Sequence, residues 1–181
     1  MKVPILKGNR VTLRPLKVKD AENYVRWFKD KEVLNYTTQN YYRVSLEKER
    51  KFIRSQQHKN NEKRKQYTFA IINEEGKHIG GTGLNVKLNK KRIEWGIVIG
   101  EKSEWGKGYA GECAKLCLDF AFKKLKANRV ELYLSIENKR GLQAYKKSGF
   151  KLEGVLRKAK YNKKGMQPAT IICKVIIMFK T

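Results

Sequence analysis

One stretch limits what this chain can fold into more than any other. Ile93-Glu-Trp-Gly-Ile-Val-Ile99 is β-branched and aromatic and reads as a strand. From Tyr109 to Phe122 a helix follows, with Glu112, Lys115, Asp119 and Lys123 forming one narrow polar stripe at spacings of three and four. Between them lies Trp105-Gly-Lys-Gly-Tyr-Ala-Gly111. Glycines at a helix entrance let backbone approach a ligand closely, and the unsatisfied amides of the first turn point at it. Lys107 adds a full charge. The stretch reads either as a phosphate or pyrophosphate site or as a glycine-rich helix entrance with no ligand. A P-loop is excluded, because five residues rather than four separate Gly100 from Gly106, and Gly108, not Ser or Thr, follows Lys107. A dinucleotide fingerprint is literally present at Gly106, Gly108 and Gly111, but Glu101 to Trp105 separate it from the strand. Too little chain follows for the remaining βα units.

The 181 residues suffice for one domain, residues 1–181, burying about 70% of its extended surface. No apolar run reaches the roughly 20 residues of a membrane span, and the first ten residues hold no export signal. Cys113, Cys117 and Cys173 are odd in number and sit in apolar segments, as reduced core thiols of a cytoplasmic protein do. The net charge of +25 has two readings. One is an anionic partner such as RNA, the ribosome or an acidic substrate; the other is a lysine-rich source proteome, which the dispersal of the charge favours. Either way such a surface attracts a polyanionic cofactor.

Taken in order, Arg10 to Leu16 reads as a strand, and Asp20 as the N-cap of a helix to Lys29. Val33 to Tyr42 reads as a tyrosine-rich loop, either a packed connector or a substrate lip. Ser45 caps a helix from Leu46 to His58. Strands follow at Tyr67–Ile72, Ile79–Val86 and the central Ile93–Ile99, forming a meander. After the central helix come a strand at Arg129–Ile136, a short helix at Gly141–Ser148, and strands at Phe150–Leu156 and Thr170–Phe179 joined by a basic turn, Tyr161 to Gln167. This order predicts an α+β domain: a mixed, twisted sheet of about seven strands with helices on both faces.

A second motif then appears: Asn138-Lys-Arg-Gly-Leu-Gln-Ala-Tyr145, followed by Gly149-Phe150 and Gly154. It resembles the GNAT segment Asn-x-x-Ala/Ser-x-x-x-Tyr-x-x-x-Gly-Phe-x-x-x-Gly. Trp105 to Ala110 resembles the pyrophosphate loop of the same family, Gln/Arg-x-x-Gly-x-Gly/Ala, with Trp105 departing at the first position. The resemblance covers about Arg10 to Phe179 and is strongest to the branch of ribosomal-protein alanine and spermidine acetyltransferases. It implies acetyl-CoA as cosubstrate, with Ile97, Val98 and Ile99 pairing with the pantetheine arm. Trp105, Gly106, Lys107, Gly108, Tyr109 and Ala110 would hold the pyrophosphate. Asn138 would bind the arm near the thioester. Tyr145 would face the sulfur and protonate the leaving thiolate; a phenol of pKa about 10 is a reasonable acid for a thiol of about 8.5.

The resemblance further implies direct attack by a neutral amine. Glu94 on the central strand is a candidate base, or else an ion-pair partner of Arg92 or Arg14. Ser135, with Glu137, is placed to order a water. The cysteines lack a nearby His, and His58 and His78 have no ligand spacing, so neither a covalent route nor a metal is expected. The acceptor expected here is a protein or peptide N-terminal amine, possibly ribosomal. An α-amine has a pKa near 8, about two units below an alkyl amine. A polyamine would be repelled unless an acidic pocket intervened, and residues 35–42 contain no acid. Alternatives are a small-molecule amine (polyamine, amino sugar or aminoglycoside) and a basic RNA- or ribosome-binding module without catalysis. Nucleic-acid contact would be non-specific, no membrane is involved, and the chain would be a monomer or homodimer.

Overall fold

A computed structural model describes residues 3–37, 44–58, 66–87, 92–135, 138–156, 160–162, 165–167 and 170–175. Two short strands, β1 (Leu6–Lys7) and β2 (Val11–Pro15), precede α1 (Ala21–Lys29), α2 (Lys31–Asn35) and α3 (Leu46–His58). The meander is β3 (Gln66–Asn73), β4 (His78–Lys87) and β5 (Arg92–Ile99). Helix α4 (Tyr109–Asp119) leads to β6 (Arg129–Ser135), then α5 (Lys139–Lys147) and β7 (Lys151–Leu156). A hairpin, β8 (Lys160–Asn162) and β9 (Gly165–Gln167), precedes β10 (Thr170–Val175). The main sheet runs β1-β2-β3-β4-β5-β6-β10-β7. Seven of its strands are those expected, and the two-residue β1 extends the edge. Among the described residues only the β5–β6 pairing is parallel.

Alternation along the strands sorts side chains to two faces. On one face Tyr67, Phe69 and Ile71 pack with Ile93 and Trp95 beneath Cys113, Cys117 and Phe120 of the α4 segment. On the other, Ala70, Ile72 and Val98 meet Tyr24, Trp27 and Phe28 of α1, Val33 of α2 and Ile53 of α3. Helix α4 does not stop at Asp119. It passes into a π-turn, Phe120–Lys124, closed by the Leu125 amide donating to the Phe120 carbonyl at 3.1 Å. That turn keeps Phe120, Ala121 and Phe122 all inside the core.

Some local expectations change. Asp20 precedes α1, but its carboxylate does not cap it. It takes both Arg14 guanidinium nitrogens, at 2.7 and 2.8 Å, and the Lys17 amide at 2.7 Å. The early part of the expected loop is helix α2, capped by Asp30 on the Glu32 amide; residues 38–43, with Tyr41 and Tyr42, lie outside the described residues. The basic turn at 161–167 contains the β8–β9 hairpin. Residues 59–65, Glu137 and Phe179 also lie outside the described residues.

Candidate active site

The site begins where two parallel strands part. Pairing of β5 with β6 stops at Glu94↔Glu131. Its near end is fastened by Glu131, almost wholly buried, which accepts from Arg92 Nε at 2.6 Å and Arg129 Nε at 2.8 Å. Burial alone raises the Glu131 carboxyl, but the two arginines outweigh it and hold its pKa below the usual value. Beyond this clamp, Ile97, Val98 and Ile99 keep only β4 as a strand neighbour, opposite Thr82, Gly81 and Gly80. Their other backbone edge faces the opening.

Two cavities meet there. The larger, about 1040 Å³, runs from Ile97–Ile99 past Trp105, Gly106 and Gly108 to Asn138 and Arg140. Gly106 and Gly108 have φ of +83° and +88°, a region that strongly favours glycine, and Gly108 is the N-cap of α4. A Cβ on either would meet a guanidinium, Arg140 at 3.5 Å and Arg10 at 3.3 Å. The loop is braced from outside. Arg10 Nη1 donates to the Lys107 carbonyl at 3.0 Å, its guanidinium lies over the Tyr109 ring, and the Tyr109 hydroxyl donates to Glu74 at 3.0 Å. Trp105, at the position where the family pattern has Gln or Arg, donates its indole N–H to the Ile99 carbonyl at 2.7 Å and ties the loop to the end of β5. A cradle with exposed amides, two positive-φ glycines and flanking arginines fits a pyrophosphate.

Lys107 does not line this cavity. Its ammonium pairs with the buried Glu104 at 3.0 Å, which raises the lysine pKa. The cations that do line it are Lys115, Lys139, Arg140 and Lys147, and among the described residues none is in a salt bridge. Arg140 was missed by sequence reasoning, although it stands two residues after Asn138 at the start of α5. Asn138 lines the cavity and caps α5, accepting from the Gly141 amide at 2.8 Å.

The smaller cavity, about 430 Å³, opens on the α1–α3 face. Tyr24, Phe28 and Phe52 give it apolar walls, and Gly96 leaves room in the sheet beneath. Glu94 and Glu49 are its two carboxylates, and no Lys, Arg or His is among its described lining residues. Glu94 pairs with Lys87 at 3.8 Å; Arg92 is taken by Glu131 and Arg14 by Asp20, so neither expected partner of Glu94 is its partner. Tyr36, Thr37, Ile97, Val98 and Tyr145 border both cavities. Tyr145 is buried, with its ring 5.5 Å from Trp95 and 6.0 Å from Phe150. Ser135 is buried and lines neither cavity; its carbonyl accepts the Asn138 amide at 2.9 Å.

Cys113 and Cys117 are buried on α4. Burial pushes the Cys117 thiol up to about 12 and raises Cys113 as well, so neither is a thiolate at neutral pH. No metal-binding group of His, Cys, Asp and Glu exists among the described residues. No described helix is long and apolar enough to cross a membrane.

With this geometry in view, comparison with known proteins is direct. The model of the acetyltransferase (GNAT) domain matches residues 10–151. The chain belongs to the GNAT acetyltransferase family. The N-acetyltransferase p20 of Bacillus licheniformis is 28% identical over 153 residues, 84% of this chain and 85% of that protein. The spermidine N(1)-acetyltransferase of Escherichia coli K12 is 36% identical over 66 residues, 36% of this chain and 35% of its own. The structure of spermidine N-acetyltransferase from Vibrio cholerae, in complex with CoA and spermine, superposes with a TM-score of 0.80 at 21% identity, covering 92% of this chain and 95% of that one. This GNAT protein is an N-acetyltransferase with acetyl-CoA as its acetyl donor.

Proposed function

We propose that this GNAT enzyme acetylates a primary amine presented from the smaller cavity, and that the acceptor is a small cationic amine. The observation that carries the reading is Tyr145, which borders both cavities where β5 parts from β6. Acetyl-CoA enters the larger cavity with its pyrophosphate on the amides of the Gly106–Ala110 loop beside Arg140, and its arm along Ile97–Ile99. The amine meets the thioester at the opening and attacks directly. Tyr145 gives its proton to the departing thiolate. Glu94 draws the incoming ammonium toward the opening, where it loses one proton to water and becomes the neutral nucleophile; after attack the nitrogen gives up a second proton, which returns through water to the Tyr145 phenolate. Asn138, already engaged on the Gly141 amide through its side-chain oxygen, offers its amide nitrogen to the arm. Ser135, out of both cavities, has a structural place in this scheme.

The argument for a peptide α-amine rested partly on repulsion of polyamines by a +25 chain lacking an acidic pocket. The acceptor cavity supplies that pocket, since Glu49 and Glu94 line it, no Lys, Arg or His is among its described lining residues, and only Glu94 has an ion-pair partner, Lys87, outside the lining. The local field there opposes the global charge and favours a cation. The α-amine reading keeps one support: an α-amine loses its proton near pH 8 and asks less of a site whose carboxylate, Glu94, is partly exposed. Thiol release from acetyl-CoA decides between them. Spermidine or a diamine should turn over faster, per unit concentration, than an alanine- or serine-ended peptide or an amino sugar. A faster peptide returns the acceptor to the α-amine class and leaves the transferase chemistry intact.

A further inference from the structure

Glu49 enters neither the cofactor site nor the transfer step, yet its surroundings are unusual for this chain. Lysine and arginine number 42 against 17 acidic residues, so most carboxylates have a cation at hand. Glu104, Asp119, Glu101, Glu112 and Glu131 all sit in salt bridges. Glu49 lies in the first turn of α3, faces the acceptor cavity, and has no ion-pair or hydrogen-bond partner for its carboxylate among the described residues. Burial raises its pKa with nothing to offset it. A second group in the same cavity is also unsatisfied: the Thr68 hydroxyl oxygen is buried without a hydrogen-bond partner. Polar groups withdrawn from water are normally paired, so a half-buried carboxylate and a buried hydroxyl oxygen, both without a partner among the described residues of one cavity, point to a ligand that supplies what they lack.

We infer that Glu49 is a specificity-determining residue that binds a second ammonium group on the acceptor, so that the enzyme selects diamines and longer polyamines over monoamines. The inference rests on the proposed cationic acceptor. Glu94 and Glu49 come from different elements, β5 and α3, on the two sides of the cavity. The reacting amine occupies the end bordered by Ile97 and Tyr145, beside Glu94. A distal ammonium, charged at neutral pH because alkyl amines have a pKa near 10.4, is held by Glu49, with Thr68 accepting one of its hydrogens. The apolar walls of Tyr24, Phe28 and Phe52 suit the methylene chain between them. A monoamine of equal length would leave the half-buried Glu49 unanswered.

The test compares kcat/KM for 1,4-diaminobutane, n-butylamine and 4-aminobutyrate, three acceptors alike in chain length and different in distal charge. The wild-type enzyme should prefer the diamine over butylamine. In Glu49→Gln that preference should fall by about tenfold to a hundredfold, the worth of one charge-assisted hydrogen bond. In Glu49→Lys the order of diamine and aminobutyrate should invert. Acetyl-CoA affinity by calorimetry and the melting temperature confirm that each variant is folded and loaded. Equal losses on diamine and butylamine, or an unchanged order in Glu49→Lys, overturn the role of Glu49 while the transferase stands. A loaded wild-type enzyme that acetylates peptides but none of the three amines overturns the cationic-acceptor reading itself.

Discussion

The two cavities on either side of the β5–β6 opening carry opposite charge. The cofactor side is lined by Lys115, Lys139, Arg140 and Lys147, and its two acids, Glu104 and Asp119, are each neutralised by a lysine at 3.0 and 3.1 Å. The acceptor side is lined by Glu49 and Glu94, with no cation among its described lining residues; Glu94 has a looser partner outside the lining, Lys87 at 3.8 Å, and Glu49 has none among the described residues. A chain at +25 has no shortage of lysine, so the lack of basic side chains among the described lining residues of one cavity is the informative feature. Net charge therefore says little about substrate preference, because a narrow cavity with low-dielectric walls is governed by the charges that line it.

The largest effect is expected where the cavities meet. In Tyr145→Phe the ring contacts with Trp95 and Phe150 survive and only the proton donor goes, so kcat should fall by about 10²–10⁴-fold. Affinity for acetyl-CoA, measured by calorimetry, should barely move. Wild-type turnover would make Tyr145 a packing residue and leave the two cavities without a shared catalytic group.

Next is the cofactor side. Gly108→Glu forces a side chain onto φ +88° at the N-cap of α4 and sets a negative charge against the pyrophosphate. Strain and lost anion contacts together should weaken acetyl-CoA binding by roughly 10²–10³-fold. Arg140→Gln should cost about tenfold in the same measurement, since it removes one charge-assisted contact and leaves the loop's conformation alone. If Arg140→Gln changes nothing while Gly108→Glu abolishes binding, the cradle works by backbone amides, and the positive lining is incidental.

Much of this architecture was legible in the chain. Periodicity gave the strands of the meander and α4, and the Asn138–Phe150 spacing with the glycine loop marked the larger cavity, proposed for the cofactor, because its lining comes from short contiguous segments. The acceptor side was not legible for the opposite reason. Glu49, Thr68 and Glu94 come from α3, β3 and β5, and only tertiary packing brings them to one cavity. Local sequence also misassigned charges. Glu94 read as a base or as the ion-pair partner of Arg92 or Arg14, yet Arg92 reaches across to Glu131 on β6 and Arg14 is held by Asp20. Lys107 looked like the loop's free charge and is instead consumed by Glu104, three residues earlier. In both cases a buried carboxylate, visible as buried only in the fold, claims the cation.

The smallest effect should come from Glu94, and it bears on the acidic side most directly. Its side chain is 35% exposed and its ion pair with Lys87 spans 3.8 Å, so solvent screens it and the pair itself contributes little. If Glu94 acts by attraction, Glu94→Gln should raise the acceptor KM by about two- to fivefold, the range of an exposed charge contact, and leave kcat alone. Added salt should shrink the difference between variant and wild type, because the Debye length falls from about 10 Å at 0.1 M to about 3 Å at 1 M. A general base behaves otherwise. Its loss would lower kcat by about 10²-fold or more, insensitively to salt, and would remove the acidic limb of the pH–rate profile. That result would move Glu94 from drawing in the amine to deprotonating it, and the contrast between the cavities would then be one of chemistry as well as charge.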